Sequence, residues 1–275
     1  MDWSKIKNIF IFTFLILDLY LIYELMGVHQ LSKYDVKAET ESSIEMRLKA
    51  DGIEYVSLPK NFTQDYYLKA KPKTFSTEDT QEAILSNQHV TLQNNGTMLE
   101  SMLKEPIKIT EKFGVNELNQ YIKENVLYGS QYQFWKRSSD GSVITYTQQY
   151  QTKKLFENDY SKLTFYVNGE DEIYSYTQTY LEEIKELSNA NAEKIIQPIK
   201  AIEILFLKGD LPPKSKITNV ELGYYTLVPN LSDTRQVLNP AWSFEVEGKG
   251  RLYVNAFEGE IVKELDQNIQ KKAME

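Results

Sequence analysis

Residues 162–173 read KLTFYVNGEDEI. A strand-like run, Lys162–Asn168, passes through Gly169-Glu170-Asp171 into a second run, Glu172–Tyr180, the pattern of a β-hairpin. Residues 253–261 read YVNAFEGEI, so Tyr-Val-Asn precedes Glu-Ile a second time. The two copies lie 87 residues apart at their tyrosines (Tyr166, Tyr253) and 88 at their glutamates (Glu172, Glu260).

The flanks share an order of elements. Before the first hairpin, Val115–Val126 (VNELNQYIKENV) places apolar residues at 115, 118, 122 and 126, the stripe of an amphipathic helix. Strands follow at Gln131–Arg137 and Ser142–Tyr150, separated by the turn Ser138-Ser139-Asp140-Gly141. Before the second hairpin, Ala192–Leu207 reads as a helix with Ile195, Ile196, Ile199, Ile202 and Leu205 near one face. Gly209 and Pro212-Pro213 stop it. Strands are then expected at Ile217–Val228, Ala241–Glu247, Arg251–Ala256 and Glu260–Leu265. The fold class is therefore α+β, with two blocks of a helix followed by an antiparallel meander, and the blocks read as a duplication. Residues 52–110 carry only short apolar pieces between polar turns and read as strand and loop.

At the N-terminus, Ile9–Met26 (IFIFTFLILDLYLIYELM) is an 18-residue apolar run, long enough to cross a bilayer as a helix. It exits through Tyr23, Glu24, Leu25, Met26, Gly27 and Val28, without the small-x-small site of a cleaved signal peptide. The chain has no cysteine, which excludes a lipoprotein anchor. Lys5 and Lys7 abut the run, whereas the next basic residues beyond it are Lys33 and Lys37. That proximity, and the readiness with which long domains translocate, favour a cytoplasmic N-terminus and an extracellular body in the cell membrane. The expected organisation is a cytoplasmic stub (1–8), a transmembrane helix (9–26), a stalk with a first α+β domain (27–186) and a second α+β domain (187–275).

Asp18 stands near the middle of this run. A bilayer-central aspartate costs roughly 2.5–3.5 kcal/mol, and intramembrane polar groups find partners on other helices. Helical spacing puts Ile11, Phe14, Leu15, Leu21, Ile22 and Leu25 on the face of Asp18, and together they form the expected partner interface. The chain carries no second such helix, so the partner is another chain.

Composition narrows the rest. Net charge is −8. Lys5 and Lys7 against Asp2, Asp18 and Glu24 leave residues 1–27 at −1 and the remainder at −7. An acidic body argues against nucleic acid as a partner. Of two histidines, His29 and His89, neither has a neighbour at metal-ligand spacing. There is no nucleophile elbow, P-loop or dinucleotide fingerprint. The acidic groups Glu170/Asp171/Glu172, Glu182-Glu183 and Glu258/Glu260 read as solvated turns, and Trp135 and Trp242 as sheet core. No catalytic residue, cofactor or metal is expected; the remaining enzyme reading is a glycosidase with two sequence-distant carboxylates.

The opening Met1-Asp2-Trp3-Ser4-Lys5-Ile6-Lys7-Asn8-Ile9-Phe10-Ile11-Phe12, running into a polar-centred helix, resembles the start of the YycI (WalI) family. So do Leu222-Gly223-Tyr224-Tyr225, Asn239-Pro240-Ala241-Trp242-Ser243-Phe244, Tyr253-Val254-Asn255-Ala256 and Gly259-Glu260-Ile261. The last of these also resemble PepSY-like modules, a helix on a small antiparallel sheet. The resemblance implies a non-enzymatic regulator of the cell-wall two-component system of Gram-positive bacteria. It implies association through membrane helices with a YycH-like sister protein and a sensor histidine kinase (YycG, or WalK). The alternative it leaves open is an extracytoplasmic PepSY-type binding or protease-inhibitory module.

Overall fold

The computed structural model describes residues 7–8, 10–21, 41–109, 114–187, 191–226 and 235–262. The chain divides into two compact units, Met1–Arg47 and Leu48–Glu275.

In the first unit residues 10–21 are helical (α1). A second helix, α2 (Glu41–Ala50), carries the chain out of this unit. Of the apolar run, Ile9 and residues 22–26 lie outside the described residues. Among the described residues no helix is long and apolar enough to cross a membrane.

The second unit is mostly sheet. The end of α2 is closed by Gly52 at φ +71, with Gly52 N–H donating to the Lys49 carbonyl and Ile53 N–H to that of Leu48. This is a Schellman stop, which needs a residue at ease in the left-handed region. The strands then run β1 (Glu54–Tyr55), β2 (Gln64–Asp65) and β3 (Leu68–Pro72), followed by the one-turn helix α3 (Thr77–Thr80). Next come β4 (Gln88–Gln93), β5 (Met98–Lys108) and helix α4 (Val115–Asn125). The meander that follows is β6 (Tyr132–Arg137), β7 (Val143–Tyr150), β8 (Lys153–Phe156), β9 (Lys162–Val167), β10 (Glu172–Gln178) and β11 (Leu181–Glu186). After β12 (Glu193–Lys194), helix α5 (Pro198–Leu207) leads into β13 (Lys216–Thr226), β14 (Gln236–Val246), β15 (Gly250–Asn255) and β16 (Ile261–Val262).

Each block is one helix and a four-stranded antiparallel meander. In the first, β6 pairs β7, β7 pairs β9 and β9 pairs β10; in the second, β13, β14, β15 and β16 pair in that order. The repeated hairpins share their register, with Val167 opposite Ile173 and Val254 opposite Ile261. Both turns are held by the asparagine, although the second is one residue longer. The Asn168 N–H donates to the Glu172 carbonyl and the Asn255 N–H to that of Glu260. Asn168 Oδ1 accepts from the N–H of Glu170 and Glu172, and Asn255 Oδ1 from those of Phe257 and Glu258. The asparagine recurs because its short amide satisfies turn N–H groups that the ladder leaves open.

The first sheet is widened by β5 and β4, in the order β6-β7-β9-β10-β5-β4. Helix α4 buries Leu118 and Ile122 in one core with Leu99, Leu103, Ile144, Tyr146, Leu163, Phe165 and Tyr176. In the second sheet β14 has β13 along one edge. Its other edge is shared, by β3 at residues 236–238 and by β15 at residues 241–246. Pro240 falls in that gap. Its carbonyl accepts from the Ala256 N–H, so its missing N–H would point to the edge where β14 changes partner. The strand therefore begins at Gln236 rather than at Ala241, because a proline is tolerated where no ladder bond is lost. Helix α5 starts at Pro198 rather than Ala192, with proline at its first turn.

The sequence divides between residues 186 and 187, and hydrogen bonds run across that division. Strands β1, β3, β8 and β11 all precede it and join the sheet of β13 and β14, with β8 and β1 parallel to β13. Strand β7 pairs with β8, so the two blocks are parts of one continuous sheet.

Candidate interaction surfaces

Helix α1 is apolar on every side. Ile11, Phe14, Leu15 and Leu21, all from the expected face, are more than half exposed, and Phe10, Phe12, Ile16, Leu19 and Tyr20 are too. Asp18 lies on the same stripe and is exposed, and it is the only charged residue among residues 10–21. Ile22 and Leu25, the remaining members of the expected interface, lie outside the described residues. Twelve helical residues extend about 18 Å. A helix apolar all round is stable only when something apolar surrounds it, protein or lipid.

A cluster of polar and aromatic contacts lies where the two blocks meet. Trp135 stands at a bulge in β6, between Phe134 and Lys136. The Arg251 guanidinium lies over its ring at 3.5 Å, and Lys154 Nζ lies 5.4 Å from the ring centroid. Phe156 packs at 5.4 Å from Trp135 and 5.5 Å from Tyr253. Trp135 Nε1–H and the Tyr253 hydroxyl both donate to Glu157 Oε1, at 3.3 and 3.2 Å. Phe156 reaches the second sheet because position 223 is glycine: a Cβ there would lie 2.4 Å from Phe156 Cζ and 2.5 Å from the Lys154 carbonyl oxygen. Trp135 and Trp242 are both buried, neither forming part of an exposed aromatic platform. Sequence reasoning missed this junction. Arg251 and Trp135 are 116 residues apart, and no local pattern links them.

A second polar centre surrounds the buried Asp65. Lys153 Nζ donates to Oδ2 at 2.5 Å, while the Tyr224 hydroxyl and the Tyr66 N–H donate to Oδ1 at 2.7 and 2.9 Å. Burial, then the hydrogen bond to Asp65 and its charge, push the Tyr224 phenol well above its ordinary value. This carboxylate is held by three donors, the arrangement a buried charge requires. Glu203, buried in α5, is paired with Lys200 Nζ at 2.6 Å.

The acidic groups of the two repeated hairpins sit at or beside their expected turns. Glu170 and Asp171 form the β9–β10 turn and Glu172 begins β10, while Glu258 lies in the β15–β16 turn with Glu260 just before β16. Glu182 and Glu183 are not in a turn as expected but on β11, where Glu182 stands opposite Lys71 of β3 and pairs with it. His89 is exposed on β4. Among the described residues no group of three His, Cys, Asp or Glu side chains could hold a metal ion.

Comparison with known proteins places this body in a family. The model of the family described as YycI protein matches residues 31–257. No curated protein matches the chain. Among solved structures, an uncharacterized protein from Eubacterium rectale ATCC 33656 is similar at a TM-score of 0.47 and 10% identity, over 78% of this chain and 91% of that one. The Bacillus megaterium YpeB C-terminal domain gives 0.39 and 10%, over 82% and 96%. YycH from Bacillus subtilis gives 0.40 and 14%, over 73% of this chain and 56% of that one.

Proposed function

Because the chain belongs to the YycI family, we propose that it is a membrane-anchored extracytoplasmic regulator of the WalK cell-wall signalling system. In this reading the N-terminal helix crosses the cell membrane once, with its N-terminus cytoplasmic. It associates there with the transmembrane helices of a WalK-like sensor histidine kinase and with a YycH-like sister protein, and the assembly sets kinase activity in cell-wall homeostasis. The observation that carries the reading is α1, an exposed helix apolar on every side around a single carboxylate. Lipid satisfies the apolar surface but not Asp18, which is stabilised by a hydrogen-bond partner on another helix. The body then acts as a docking and signalling module rather than an enzyme.

The test is an Asp18→Leu substitution in the full-length chain co-expressed with the kinase. Loss of one intramembrane hydrogen bond lowers co-purification by about three- to tenfold. Undiminished association with unchanged kinase output would overturn the assignment of Asp18.

A further inference from the structure

Among the described residues, five strands of the large sheet have a single partner: β1, β4, β6, β11 and β16. A strand with a free edge invites pairing by another chain, and proteins blunt such edges with shortness, charge, proline or a bulge. Strands β1 and β16 are two residues long. Strand β11 has a bulge between Glu182 and Lys185 and four charged side chains, and β6 has its bulge at Trp135 and ends in Lys136-Arg137. Where β5 runs on past β4 it carries Lys104, Glu105 and Pro106. Strand β4 has none of these devices. Its six residues, Gln88–Gln93, pair with β5 in unbroken register from Gln88 opposite Leu103 to Gln93 opposite Met98. No acidic or basic side chain occurs between Glu82 and Glu100, in a chain of which 25% is charged. Among the described residues, the backbone of 88–93 makes no hydrogen bond outside the ladder with β5.

We propose that β4 is an interface between two copies of this chain, pairing antiparallel with its own equivalent about a twofold axis at Thr91. A twofold contact brings the same patch of both copies together, so charges on the strand would oppose their like. The uncharged β4 meets that condition, and its pattern fixes the register. Facing residues of an antiparallel pair lie on one face of the sheet. With the axis at Thr91, Val90 faces Leu92 of the second copy, and His89 faces Gln93. Val90 and Leu92 pack against the first core but are only partly buried, so this register continues the core across the axis. An axis at Val90 would set Leu92 against Gln88, and one at Leu92 would set Val90 against Asn94. The contact lies in the body and does not rest on the proposed membrane role.

The chain has no cysteine, so single cysteines report the pairing without background. Facing residues of an antiparallel pair hold their Cα atoms about 4.5–5.5 Å apart, within reach of a disulfide. In cells expressing the full-length chain, mild oxidation links Thr91→Cys into a dimer. His89→Cys and Gln93→Cys do not link alone, since each lies about 13 Å from its own equivalent, but the two chains link when co-expressed. Adding His89→Lys and Gln93→Lys to Thr91→Cys opposes lysine to lysine twice and lowers linkage about tenfold. Adding His89→Lys with Gln93→Glu instead restores it. All three positions are exposed, so the fold tolerates these changes. No linkage of Thr91→Cys, equal linkage at all three positions, linkage indifferent to the lysines, or an adduct with another protein in place of the dimer would overturn the proposal.

Discussion

Gly223 sets how closely the two blocks approach each other. An alanine methyl at this position would meet the Phe156 ring and the Lys154 carbonyl at about 2.5 Å, and the carbonyl belongs to backbone held in β8. Overpacking of this kind costs about 1–3 kcal/mol. Gly223→Ala therefore lowers the unfolding free energy by that amount, read in chemical denaturation as a lower midpoint with no change in slope. Asp140 answers to pH instead. The Ser138 hydroxyl, the Ser142 N–H and the Ser142 hydroxyl donate to it across the β6–β7 turn and hold its carboxyl at about 2, below the ordinary 3.8. A carboxyl depressed in the folded state stabilises above its unfolded value, and the contribution disappears as pH falls through the folded one. Carboxyl NMR should find Asp140 titrating near pH 2, with the Ser142 amide following it; Asp140→Asn should remove that step from the Ser142 profile.

At the scale of elements, the reading from sequence was richest where contacts are local. The stripe 115, 118, 122, 126 became α4, with Leu118, Ile122 and Val126 buried. The repeated Tyr-Val-Asn became two hairpins in which the valine faces the isoleucine and the asparagine side chain holds the turn. What escaped were the elements defined by distant partners. Strand β8 is four residues, Lys153–Phe156, and its parallel pairing with β13 joins positions some seventy residues apart. Strand β5 alternates inside and outside only as far as Leu103, and Glu105 and Pro106 then mask its continuation to Lys108. Of the candidate site, Asp18 was legible as a misplaced charge. The Trp135–Arg251 stack depends on how two elements meet, and no spacing encodes that. One consequence can be tested directly. Residues 187–275 alone lack β1 and β8, which pair with β13, and β3, which pairs with β14 and carries β11 on its other edge. Expressed alone they should show no cooperative thermal transition by circular dichroism, whereas a piece spanning 48–275 should show one.

At the scale of the whole molecule, an apolar helix with one carboxylate precedes a body whose two related blocks share a continuous sheet. In the proposed function the body provides a docking and signalling module, and the helix carries its state to the kinase within the membrane. That division of labour separates this account from one in which the helix merely tethers an active body near its target. The deciding measurement is kinase output in cells when residues 1–27 are replaced by an unrelated single-span helix of equal length and orientation. The body is then anchored as before but lacks Asp18 and its face. The account predicts that regulation is lost although the chain remains in the membrane at its normal level. Full regulation by the exchanged chain would contradict it.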